Sequence, residues 1–233
     1  MSTEVRPTRR DERRVQTVRE IKSLAMAQVS EGGPDAVSLS AIVREMSMSP
    51  AAVYRYFASR DALLADLVVD AYDELADSLA ALGSTGTAED HLAAVLHGLR
   101  AWAQRHPNSY RLIFHTSIGS GENFAAERTV PASSRSMRVL VDAISAVADA
   151  GEAAQASLRV HLGAELLNAV GRWRDAAGLG AYPIEVLALG FLSWTRLHGV
   201  ISLELGGHLA ATGIGASALF DSEVDTIVAQ ART

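Results

Sequence analysis

The stretch from Ser38 to Arg60, SLSAIVREMSMSPAAVYRYFASR, constrains this chain more than any other. Leu39, Ile42, Val43 and Met46 stand at i, i+3, i+4 and i+7, which lays one apolar stripe along a short helix. Ser49-Pro50 then opens a second helix. A serine there caps free amides, and a proline at the first helical position sacrifices no hydrogen bond. Val53 and Phe57 face a core, which leaves Ala51, Ala52, Tyr54 and Arg55 outward. Two short helices around a tight turn, the second led by small residues, form a helix-turn-helix layout. Small side chains let such a helix enter a major groove closely, and hydroxyl and cationic groups then reach phosphates and base edges.

These residues resemble the DNA-binding domain of the tetracycline-repressor (TetR-like) family of bacterial transcription regulators. The matching pieces are Ser38 to Ile42, Met48 to Phe57 and Ser59 to Leu64. The chain departs from the family pattern at three places. Ser47 stands where the family has glycine in the turn, Arg60 where it has lysine, and Tyr56 where it often has histidine. Arg60 keeps the charge and gains donors. A turn residue with φ > 0 is freely adopted only by glycine, so Ser47 is the departure with a structural consequence. Residues and resemblance together give a DNA-facing set: Ser38, Ser40, Arg44, Ser49, Pro50, Ala51, Ala52, Tyr54, Arg55, Tyr56 and Arg60. The resemblance further implies a homodimer, a palindromic double-stranded DNA operator and a small-molecule effector held by a second domain.

Charge is distributed as that reading requires. The net charge is −6, yet residues 1–60 carry ten Lys or Arg against seven Asp or Glu. A basic end on an acidic body suits a DNA-binding head on a regulatory body. Arg6, Arg9, Arg10, Arg13 and Arg14 concentrate that charge at the start. They are either a solvated, flexible terminus or an arm that meets phosphates or a minor groove. The absence of cysteine excludes disulfides and thiolate metal sites. The opening residues lack the apolar core of a secretory signal, and the most apolar run, Val186 to Thr195, is too short to span a bilayer. A cytoplasmic protein with no membrane partner is expected.

The pattern along the rest of the chain is helical, so the expected fold is all-α. Helices are predicted over 11–30, from the Ser59 cap to about 79, over 87–105, 108–116, 131–150, 152–176, 183–205 and 221–231. Residues 1–60 are expected to form the three-helix DNA-binding domain, and 61–233 a helical bundle for effector binding and dimerisation. The 183–205 helix is apolar nearly all round, and the preceding one, with Leu158, Leu162, Leu166, Ala169, Val170 and Trp173, has a similar excess. Both should be buried on two sides, by the core and by a partner subunit with Leu197 and Ile201 turned outward. Trp194, His198 and Gly199 also resemble a C-terminal subclass with a Trp-His-Gly signature.

Catalytic patterns are missing from the sequence. Gly119-Ser-Gly121 and Gly178-Leu-Gly180 lack the strand and third glycine of a dinucleotide loop, and there is no Walker-type Gly-Lys-Ser/Thr. His161 and Glu165 lie one helical turn apart, which suits a hydrogen-bonded pair better than a metal site. Neither cofactor nor metal is expected. A ligand cavity is the remaining reading, lined by Trp102, Tyr110, Phe114, His161, Glu165, Asn168, Trp194 and His198. Aromatic walls with scattered polar groups inside a bundle are common features of such sites. An enzyme on a helical bundle and a protein-interaction adaptor are the rival functions.

Overall fold

Side-chain caps set where the first five helices begin. The computed structural model describes residues 8–83, 86–114, 126–149 and 163–232. Within them lie ten α-helices and no strand: α1 (Arg9–Gly32), α2 (Leu39–Glu45), α3 (Pro50–Tyr54), α4 (Arg60–Ala80), α5 (Ala88–Arg105), α6 (Pro107–Phe114), α7 (Ala126–Asp149), α8 (Ala164–Ala176), α9 (Ile184–Leu205) and α10 (Ala216–Arg232). The molecule is all-α, as its periodicity requires. Thr8 and Asp11 form a capping box at α1, and Thr87 and Asp90 form another at α5. Ser38, Ser49 and Ser59 accept from Ala41, Ala52 and Ala62 N–H groups at 3.3, 3.3 and 3.1 Å.

Contacts group the chain into two units. One comprises Met1–Ala71 and Asn108–Pro131, the other Tyr72–Pro107 and Ala132–Thr233. Residue 60, the division expected from sequence, is the first residue of α4, a helix that continues through both.

In the first unit the α1 stripe of Ile21, Ala25 and Val29 is buried together with Leu39, Ile42, Val43, Val53 and Phe57. The apolar positions read for both short helices are therefore core positions, except Met46, which is half-buried. Lys22, the chain's sole lysine, ties α1 to α4 through Asp66 at 3.0 Å and Asp70 at 2.7 Å. Arg128 of α7 bonds the same Asp66. Burial pushes the Asp66 carboxyl up, but the hydrogen bonds and charges of Arg128 and Lys22 outweigh it and hold the group below its usual range.

In the second unit α10 runs antiparallel to α5, with Arg232 on Glu89 at one end and Ser217 on Arg100 at the other. Arg100 also forks onto Glu204 of α9 at 2.8 and 2.6 Å and lies 5.3 Å from the Phe220 ring centre. Arg135 of α7 pairs with Asp73 and Asp77 of α4.

Several boundaries differ from the sequence reading. Helix α1 starts two residues earlier and ends two later, because the Thr8 box caps it upstream of Asp11. Helix α7 begins at Ala126 and runs through Pro131, which the sequence reading took as its start. Proline forfeits one bond there but its φ suits a helix, and Arg128 anchors the turn before it. Helix α10 begins five residues ahead of expectation and buries Phe220 completely. The expected 108–116 helix is described to Phe114 and the expected 152–176 helix from Ala164, the remainder lying outside the described residues.

Two expectations about α9 are corrected. Leu197 and Ile201 do not face outward: both are 0% exposed. The outward stripe on this helix is Thr195, Gly199 and Leu203. The apolar character also extends beyond that run: Ile184–Leu205 contains an 18-residue stretch of mean hydropathy 1.4, so the helix is long and apolar enough to cross a membrane. Over half of that stretch is buried inside the fold, and Arg196 bonds Gln230 at 2.8 Å, as befits a core helix.

Candidate nucleic-acid interface and ligand site

Helix α3 is only five residues long, so its placement depends on its ends. Ser49 caps it, Pro50 occupies its first turn, and Val53 at 0% and Phe57 at 5% exposure pin it to the core. Ala51, Tyr54 and Arg55 are then exposed, and Ala52 is half-buried. Ser40 and Arg44 are exposed on α2, and Ser38 is half-buried at its cap. The turn between the helices carries Ser47 at φ 51°, the left-handed conformation in which an L side chain is strained.

Arg60 departs from its expected role. Its Nη2 donates to the Pro34 carbonyl at 2.7 Å and its Nε to that of Val37 at 3.2 Å, with Asp35 3.0 Å away. The guanidinium therefore fastens the start of α4 to the loop before α2. Its donors are directed to backbone because the Val37 carbonyl and the Pro34 carbonyl, which also accepts from the Val37 N–H, lie within reach. The sequence showed the charge but not this geometry.

The sequence-derived DNA-facing set omitted the first turns of α1. Arg9, Arg10, Arg13 and Arg14 are helical, not an arm, and with Arg55 and Tyr56 they line a cleft of about 420 Å³. The Arg14 guanidinium sits 5.5 Å from the Tyr56 ring centre. Arg6 lies outside the described residues. The available signal was the i, i+4 spacing of Arg9 with Arg13 and Arg10 with Arg14, which places like charges on one face. Arg9, Arg10, Arg13, Arg14, Arg44 and Arg55 make no ion pair among the described residues. Arg60, Arg100, Arg128, Arg135, Arg174 and Arg232 are paired, whereas Arg105, Arg172 and Arg196 of the second unit also make no ion pair among the described residues.

The expected ligand residues separate into groups. In the first unit Tyr110 is fully buried and its ring lies 5.0 Å from that of Phe114. In the second unit Trp102 is fully buried and stacked on His106 at 5.7 Å, and its Nε1 has no hydrogen-bond partner. Trp194 and His198 pack edge to face at 4.8 Å. Glu165 and Asn168 are corrected: both are exposed on α8, alongside Leu166 and Ala169. Those four positions form one outward stripe, so polar residues read as cavity lining belong to the outer face. His161 lies outside the described residues. A notch between Met137, Val141, Trp173 and Leu179 holds only about 10 Å³, the room of a single water.

Comparison with known proteins matches this arrangement. The model of bacterial regulatory proteins of the tetR family matches residues 21–67, and that of the tetracyclin repressor-like C-terminal domain matches 92–227. The chain belongs to the tetR family. The transcriptional regulators Rv1816 of Mycobacterium tuberculosis and Mb1846 of Mycobacterium bovis are each 29% identical to it over 226 residues, covering 95% of this chain and 94% of theirs. A solved structure described as that of a regulatory protein, SCO4313, is 36% identical, covers 95% of this chain and 98% of its own, and superposes with a TM-score of 0.74. This tetR-family protein is a DNA-binding transcriptional regulator and not an enzyme.

Proposed function

We propose that this regulator is a ligand-responsive repressor that binds a palindromic operator as a homodimer in the cytoplasm. Residues 1–60 form the DNA-binding head, and 61–233 the effector-binding and dimerisation body. The observation that carries the reading is a cluster of arginines, with four at the start of α1 meeting Arg55 in one cleft. Six arginines without ion-pair partners among the described residues lie on or beside the helix-turn-helix. An unpaired guanidinium is free to meet phosphate. Ser40, Arg44, Ser49, Tyr54 and Arg55 are assigned to the operator, with Ala51 and Ala52 giving α3 its close approach to the groove. The outward apolar positions Leu166, Ala169 and Leu203 on α8 and α9 support self-association. A twofold dimer then demands a twofold operator.

An effector at Trp102 is supported by the buried indole N–H that lacks an acceptor. Such a donor is costly unless a ligand or water meets it. The effector is accordingly a mostly apolar compound with one hydrogen-bond acceptor. The Trp194–His198 edge contact supports placement in the Trp-His-Gly subclass. The effector releases DNA if it binds the DNA-incompetent state more tightly, with a coupling of about 1–3 kcal/mol. Selection from a random DNA pool should return an inverted repeat with half-sites one helical turn, about 34–36 Å, or a multiple of it apart. A compound that quenches tryptophan emission should then release that DNA. Recovery of unrepeated sequences sinks the operator reading, and release with both tryptophans unperturbed places the effector elsewhere.

A further inference from the structure

We infer that the first turns of α1, outside the helix-turn-helix, join the end of α3 in a DNA-backbone clamp built around the five-arginine cleft. The inference rests on the DNA-binding reading. Arg9, Arg10, Arg13 and Arg14 occupy two turns of a capped helix, so they are held rather than loose. Arg55 and Tyr56 close the cleft from the end of α3, and the Arg14–Tyr56 contact fixes one wall against the other. The folded chain gains nothing evident from this grouping. Two like-charged i, i+4 pairs repel each other, and the cleft lining holds no carboxylate, although Asp11 on the same turns attracts Arg10 and Arg14.

The chemistry of five guanidiniums and one phenol in an open cleft selects phosphate oxygens. Its position selects their source. Arg55 directly follows the helix that enters the groove, so a strand leaving that groove passes the cleft. The clamp contributes affinity that is indifferent to sequence, whereas α3 contributes the discrimination.

The test is the triple variant Arg9→Ala, Arg10→Ala, Arg13→Ala in the full chain. Affinity is measured against selected and scrambled duplexes over a range of salt. The variant should weaken binding to both duplexes by the same factor and keep their ratio. Its slope of log affinity against log salt should fall by about 0.9 for each phosphate that the variant no longer neutralises. Its melting temperature should stay close to that of wild type, since the arginine repulsion and the Arg10–Asp11 attraction are lost together. An unchanged salt slope in a folded variant overturns the clamp. A changed ratio with an unchanged slope assigns these arginines to base reading and overturns it too. Tripolyphosphate that stabilises wild type while the variant binds DNA normally makes the cleft a free-phosphate site instead. Failure of wild type to bind any duplex overturns the DNA reading itself.

Discussion

Ser47 shows how one residue can record a compromise. At φ 51° it holds a left-handed conformation that costs an L residue about 1–2 kcal/mol. Glycine removes that strain but loses more backbone entropy on folding, by up to about 1 kcal/mol. Ser47→Gly should therefore stabilise the protein by about 0.5–1 kcal/mol, or about 1–4 °C in melting temperature for a chain of this size. Its DNA affinity should not change, since the turn geometry is kept, and paired melting and binding curves check both. Arg60 is the opposite case, a charge read as a DNA contact that instead bonds the carbonyls of Pro34 and Val37. Arg60→Ala should cost about 1–3 kcal/mol of stability. Binding of the still-folded fraction should keep the wild-type salt slope, whereas a reduced slope would return Arg60 to the phosphates.

Among the elements, the short helices were the most legible in sequence. Their stripes and caps are local signals, and Ser38, Ser49, Val53 and Phe57 hold the expected places. The direction faced by α9 was not legible, because a helix apolar on all sides carries no moment to show which side meets its own core. Leu197 and Ile201 lie inside, while Leu203 is 44% exposed and Leu166 on α8 is 37% exposed. Two members of the ligand set were misplaced for a related reason: polar residues on an apolar helix read alike whether they line a cavity or an outer face, and Glu165 and Asn168 occupy the latter. The Arg60 and cleft geometries were hidden because they join residues far apart in sequence. These placements separate two effects in α9. Leu203→Arg should shift the protein toward monomer in sedimentation with little loss of subunit stability. Leu197→Ala should leave association intact but cost about 2–5 kcal/mol in denaturant, as expected for a buried leucine. A dimer unaffected by Leu203→Arg paired with Leu166→Arg would move the interface to another face.

Across the whole molecule, carboxylates hold helices together by receiving arginines from neighbouring elements. Glu204 is the clearest of these, receiving Arg100 and Gln104 from α5 while Arg100 also reaches Ser217 of α10. The hydrogen bond from Arg100 lowers its pKa, burial opposes this, and the charge of Arg100 and the amide of Gln104 add to the lowering. A carboxyl with a depressed folded pKa stabilises fully above its unfolded value, about 4.3, and loses that contribution as pH falls through the folded value. Asp66 is depressed too and reinforces the trend. Glu204→Gln keeps the shape but removes the titration. At pH 7 it should be less stable than wild type by about 1–2 kcal/mol, since charge-assisted bonds become neutral ones. The difference should hold down to about pH 5, just above the unfolded value, and then shrink as pH falls through the depressed folded value. Urea unfolding at intervals from pH 7 downward reads the difference directly, and groups common to both proteins cancel. Parallel curves all the way down would show that Glu204 titrates alike in the folded and unfolded chains, and that its network joins α5, α9 and α10 by packing alone.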